Sequence, residues 1–224
     1  MLQSKQHSQT DKISWKQFLV ISVIVFFVVL AKLMPYLLPK FGWEIPVDQS
    51  WSYFWNFSPM LPLALVAGAT FSLRWAVLIP TLAWLAGDLG IWALTGHRDW
   101  AFYPMSPFIY LLMWMTVFIG ATGVRWVGEG DQLAQSVRNL LGGFVGATLF
   151  FLISNFLVWS FGNAVFYPLT LAGLLECYTL AIPFYRNSLV GMVIYVPVLT
   201  MLFRTIVLAN ETVQTIELEN VQKA

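Results

Sequence analysis

The sequence predicts an all-α, polytopic membrane protein: a bundle of six transmembrane helices with a short interfacial or re-entrant helix between the fifth and sixth. Three observations predict it. Of 224 residues, 58% are hydrophobic and only 10% charged, and the mean hydropathy is +0.72, far from the balance of a water-soluble domain. The apolar residues gather into runs of the length needed to cross about 30 Å of hydrocarbon. The basic residues are distributed unevenly between the connections.

The first span is expected over residues 17–38. Lys12 and Lys16 precede the run "FLVISVIVFFVVLA", which resembles the apolar part of a secretory signal. The run is long, however, and Ala31 is followed by Lys32, Leu33 and Met34 rather than by a small-residue cleavage site, so it reads as a retained anchor. The second span, 58–73, is short and opens on Pro59 and Pro62, residues suited to a helix's first turn. The third, fourth and fifth are expected over 75–94, 102–124 and 139–161, and the sixth over 187–208. Between the last two, "YPLTLAGLLECYTLAIPFYR" (167–186) is apolar but is bounded by Pro168 and Pro183 and holds Glu176. Its middle, 169–184, is therefore expected to lie on the membrane or partly enter it.

The positive-inside rule orients this arrangement. With the N-terminus in the cytoplasm, Lys5, Lys12, Lys16, Arg74, Arg125, Arg138, Arg204 and Lys223 fall inside, against Lys40, Arg98 and Arg186 outside. Aromatic residues mark both boundaries: Trp51, Tyr53, Trp55, Trp100 and Tyr103 on the outside, Trp15, Trp75 and Trp126 on the inside, where amphipathic rings prefer the headgroup layer. The expectation is one transmembrane domain, 1–224, with a cytoplasmic tail at 1–16, the bundle at 17–208 and a second cytoplasmic tail at 209–224.

Several chemistries lack their residues. A net charge of +1 with no basic block gives no footprint for nucleic acid. The single cysteine, Cys177, and two distant histidines, His7 and His97, show no metal-ligand spacing. There is no Walker loop, nucleophile elbow or zinc-protease helix motif. No cofactor is implied, and an enzyme is the weaker reading.

What needs explaining is "WLAGDLGIW" (84–92), which sets a carboxylate within an apolar helix. Such a group costs on the order of 3 kcal/mol at the bilayer centre, and less toward an interface. At 1.5 Å per residue, Asp88 lies about 21 Å beyond Arg74 and Lys32 about 24 Å beyond Lys16; Asn155 reaches a similar level counted from Asn139. These polar groups converge on one layer in the outer half. Trp84 and Trp92 stand four positions either side of Asp88, and Asn155 and Trp159 repeat that spacing on the fifth span. The pattern points to a water-accessible outer cavity floored by Lys32, Asp88 and Asn155 and walled by Trp84, Trp92 and Trp159, with Glu176 and Arg186 on a lid-like segment. Each residue also has a structural reading. Lys32 can snorkel to the headgroups, Asp88 can bond neighbouring backbone or Arg98, Asn155 can join helices, Glu176 and Arg186 can form a solvated pair, and Cys177 can pack as a small apolar residue. The small-residue pairs Ala64/Gly68, Ala83/Gly87, Gly142/Gly146 and Gly143/Ala147 are expected to let helices approach closely.

The segments "NFSPMLPLALVAGATF" (56–71), "AGDLG" (86–90), "SNFLVW" (154–159) and "YPLTLAGLLECYTLAIPFYRNSLVG" (167–191) resemble a family of uncharacterised small bacterial integral membrane proteins. That family in turn is similar to the S components of energy-coupling factor transporters. The likeness covers about two thirds of the chain, 56–203. It implies an inner-membrane protein that captures a small solute, vitamin-like or a metal ion, from outside, and that relies on separate coupling and ATPase subunits. The alternatives are a structural or accessory membrane subunit that transports nothing, and an intramembrane enzyme acting on lipid with Asp88 or Glu176 as acid or base.

Overall fold

The computed structural model describes residues 13–43, 57–124, 132–162 and 166–222. Trp51, Tyr53, Trp55 and Trp126 of the expected aromatic belts lie outside the described residues, as do Lys5, Lys12, Arg125 and Lys223. All regular structure among the described residues is helical: α1 (Trp15–Leu37, extended by a 3-10 turn Leu38–Phe41), α2 (Met60–Thr70), α3 (Leu73–Thr95), α4 (Arg98–Ala101), α5 (Ser106–Ile119, continued by a π-turn Gly120–Val124), α6 (Gln132–Phe161) and α7 (Leu171–Gln222). Among the described residues, five stretches are long and apolar enough to cross a membrane: 15–41, 73–95, 98–122, 133–161 and 171–205.

Local chemistry sets the helix ends. Ser14 opens α1 with a capping box, its hydroxyl accepting from the Gln17 backbone at 3.3 Å while the Gln17 side chain accepts from the Ser14 N–H at 2.8 Å. Gly96, in the left-handed region at φ 74°, closes α3 by donating to the Trp92 carbonyl at 2.8 Å, a conformation that costs a residue without Cβ little.

Two elements differ from the sequence expectation. The second span is an 11-residue helix, α2, about 16 Å long and so roughly half of the hydrocarbon thickness. Every residue from Met60 to Gly68 is buried, the pattern of a helix apolar on all sides that sits inside a bundle rather than at its surface. The other difference is α7. A break was expected near 186, but the chain runs as one helix from 171 to 222 through both Pro183 and Pro197. Within hydrocarbon, unravelling a helix exposes several backbone groups, whereas a proline removes a single N–H, so continuity is the lower-energy outcome.

Burial centres on α2. Leu63, Ala64, Leu65, Val66 and Ala67 are fully enclosed by α1, α3, α5, α6 and α7. Apolar burial gives little drive between helices already in lipid, so close backbone approach and van der Waals contact must supply it. Gly68, Gly143 and Gly146 of the expected pairs do this, and so does Gly120, which lies outside them. A methyl on Gly68 would strike the Val117 carbonyl, and one on Gly120 would strike that of Leu65. Gly143 lies under Met192, and Gly146 under Thr116. Helices α1, α3 and α6 run from one end of the bundle, here the near end, to the far end, and α2, α5 and α7 return. Phe71 against Phe203 marks the near end, and Tyr36 against Trp100 and Phe108 against Phe161 mark the far one.

Candidate functional site

Lys32 on α1 and Asp88 on α3 meet. The ammonium Nζ is 2.5 Å from Asp88 Oδ1, with the side chains only 14% and 7% exposed. Gly87 makes the encounter feasible, since a side chain there would collide with the Lys32 stem, and Gly90 does the same for Leu33. The pair is completed by neighbours. Tyr110 on α5 donates its hydroxyl to Asp88 Oδ2 at 2.8 Å, and Lys32 Nζ lies 3.4 Å from the Trp84 carbonyl and 4.7 Å above the Trp84 ring. Both carboxylate oxygens are thereby hydrogen-bonded, and the ammonium gains a cation–π contact, as a buried charge requires. One turn beyond Tyr110 on α5, Trp114 donates its indole N–H to Thr81 at 3.0 Å, tying α5 to α3.

Beside this network, in the half of the bundle toward the far end, lies a cavity of about 330 Å³, within the size range of small-molecule sites. Lys32 is the single charged side chain in its lining among the described residues. Trp84, Phe150, Phe57, Tyr36 and Tyr103 form aromatic walls, and Ser58, Ser154 and Ser188 bring hydroxyls. Met60, Leu61 and Pro62 also line it, so α2 presents its N-terminal end, the partly positive end of its backbone dipole, to the space.

Of the residues singled out from the sequence, Lys32 and Trp84 line this cavity and Asp88 sits directly behind Lys32. The others are elsewhere. Trp92 is 44% exposed and packs edge-on against Phe102. Asn155 bonds along its own helix, donating to the Phe151 carbonyl at 2.7 Å, and its backbone carbonyl receives the Cys177 thiol at 3.5 Å. It therefore faces α7. Trp159 donates to the Pro168 carbonyl at 3.0 Å, fastening the α6–α7 connection. Glu176 and Arg186 are exposed along α7, ten positions apart on a continuous helix, and Arg186 donates to the Asn187 side chain at 3.4 Å.

The sequence reading missed Tyr110, Tyr36, Ser154 and Ser188. On α6 the cavity face is Phe150, Ser154, Leu157 and Val158, a helical i, i+4, i+7, i+8 stripe one position away from the Asn155/Trp159 stripe that sequence polarity favoured. Tyr110 carried a readable signal, since it lies seven positions after Tyr103 and four before Trp114. No three of His, Cys, Asp and Glu gather among the described residues in a way that could hold a metal ion.

Residues 12–215 match a family of unknown function (DUF6580). The chain belongs to that family. The match spans every helix that surrounds the cavity, so the Lys32–Asp88 pair and the buried α2 lie within the family's own region. No curated protein and no solved structure matches the chain.

Proposed function

We propose that this family member is an integral-membrane solute-binding protein, of the kind represented by the S components of energy-coupling factor transporters. It takes a small vitamin-like solute into the cavity beside Lys32 and Asp88. The observation that carries this reading is the cavity itself, a space of about 330 Å³ lined by six helices, with Lys32 in its wall, Asp88 behind it, and hydroxyls and aromatic faces around it. A bundle built only for packing has no use for such a space, since interiors close to near-crystalline density. The lining favours an organic solute over a metal ion, because aromatic walls and a lysine offer stacking and hydrogen-bond donation but no ligand cluster.

In this reading the far end faces outward. The chain makes six passes through the inner membrane, with α2 covering half the thickness on one of them, and both termini are cytoplasmic, in keeping with the basic residues at the near end. Delivery inward uses separate coupling and ATPase subunits. A second reading, an accessory subunit that transports nothing, draws support from the Lys32–Asp88–Tyr110 network, in which both carboxylate oxygens are hydrogen-bonded within the bundle.

Thermal unfolding of the detergent-purified chain against a vitamin and divalent-metal panel separates the two. Ligand at 100 times its Kd adds about 2.7 kcal/mol to apparent stability. The solute-binding reading expects a saturable rise with one organic class, abolished by Ser154→Trp. A panel without any rise supports the accessory subunit.

A further inference from the structure

The polarity of the lining narrows the class of solute, an inference that rests on the solute-binding reading above. We infer that the cavity takes an uncharged, flat, largely apolar molecule bearing a hydrogen-bond acceptor, such as a heteroaromatic amide.

Charge balance excludes ions. Lys32 is the one charged group in the lining among the described residues, and Asp88 at 2.5 Å already compensates it. The second Asp88 oxygen is engaged by Tyr110 at 2.8 Å. A carboxylate entering the cavity would either add an unmatched negative charge to a buried neutral site or draw Lys32 away and strand Asp88, both unfavourable where water is scarce. A cationic solute fares no better. It meets the like charge of Lys32, and the face of Trp84, the aromatic wall beside the pair, is already covered by Lys32 Nζ at 4.7 Å.

What remains attractive is a dipole. An ammonium has three donors and no acceptor. Among the described residues, Asp88 and the Trp84 carbonyl take two of them, and the third serves a solute carbonyl or ring nitrogen. The N-terminal end of α2 reinforces the same polarity. Ser58, Ser154 and Ser188 can donate or accept and so impose no charge. Trp84, Tyr36, Tyr103, Phe57 and Phe150 set the preference for a flat apolar body.

The test uses matched triads that differ only in charge: nicotinamide, nicotinate and 3-(aminomethyl)pyridine; and indole-3-acetamide, indole-3-acetate and tryptamine. Each is titrated at neutral pH into the full-length protein in detergent, by calorimetry and by thermal unfolding. The expected result is that the amide of at least one triad binds at least tenfold more tightly than both charged partners, and that Lys32→Met/Asp88→Leu weakens it at least tenfold. The wild-type comparison stands by itself if the double variant fails to fold. A carboxylate or amine that equals its amide overturns the inference but leaves solute binding intact. Binding by none of the six overturns it too, and the vitamin panel then decides separately whether solute binding survives.

Discussion

Two polar clusters among the described residues, one in each half of the bundle, are built differently. Toward the near end, Asn139 of α6 donates to Thr200 of α7 at 2.7 Å, with Gln135 and Arg138 continuing the chain of side-chain bonds along α6. Both Asn139 and Thr200 are buried, uncharged, and absent from the cavity lining. Toward the far end, the cluster is ionic, joins three helices instead of two, and borders an open space. A neutral pair suffices to hold two helices together, at modest cost and modest gain. Burying two opposite charges is seldom the better way to gain stability, since a well-packed apolar pair does as well or better. The contrast therefore assigns the first cluster to assembly and the second to what happens in the cavity.

The largest effect should come from breaking the ionic cluster on one side only. Asp88→Ala leaves an ammonium buried without its partner and should lower unfolding stability by about 3–5 kcal/mol. Replacing both groups, Lys32→Met/Asp88→Leu, should bring stability back near the wild type while solute-dependent stabilisation stays lost, a separation readable by denaturant titration with and without ligand. The Asn139–Thr200 pair should behave in the opposite sense. Asn139→Ala or Thr200→Val should cost about 1 kcal/mol and leave solute affinity unchanged. At the small end, Trp92→Phe and Glu176→Gln, both at exposed positions, should shift stability by less than about 0.5 kcal/mol and solute binding not at all. An effect of Asn139→Ala on affinity larger than that of the double replacement would reverse the assignment.

Much of the ionic cluster was legible before any coordinates, because helix rise alone brings Lys32 and Asp88 to one depth, and Gly87, four positions after Ala83, marked where a neighbouring helix could come close. The cavity face of α6 was not. Asparagine and tryptophan stand out in an apolar run, so Asn155 and Trp159 drew attention, yet a helix turns 100° per residue and the adjacent Ser154 is the one that faces the space. The Asn155 side chain instead bonds the Phe151 carbonyl of its own helix, and Trp159 fastens the α6–α7 connection through the Pro168 carbonyl. The central burial of α2 was half visible: "MLPLALVAGAT" has no polar side, but its shortness was read as a short crossing rather than as a core surrounded by longer helices. The continuity of α7 is masked in the sequence by Pro183, a signal that ends helices in water and is tolerated in lipid.

Solute capture requires a hollow beside Lys32 that admits water from outside, and neighbouring positions on α6 test for it most directly. In a Cys177→Ala background, Ser154→Cys and Asn155→Cys would be exposed in intact cells to a membrane-impermeant methanethiosulfonate and the labelling rates compared. With such a hollow, the thiol at position 154 reacts and the one at 155, turned toward α7, does not. Equal protection of both, or faster labelling at 155, would contradict it.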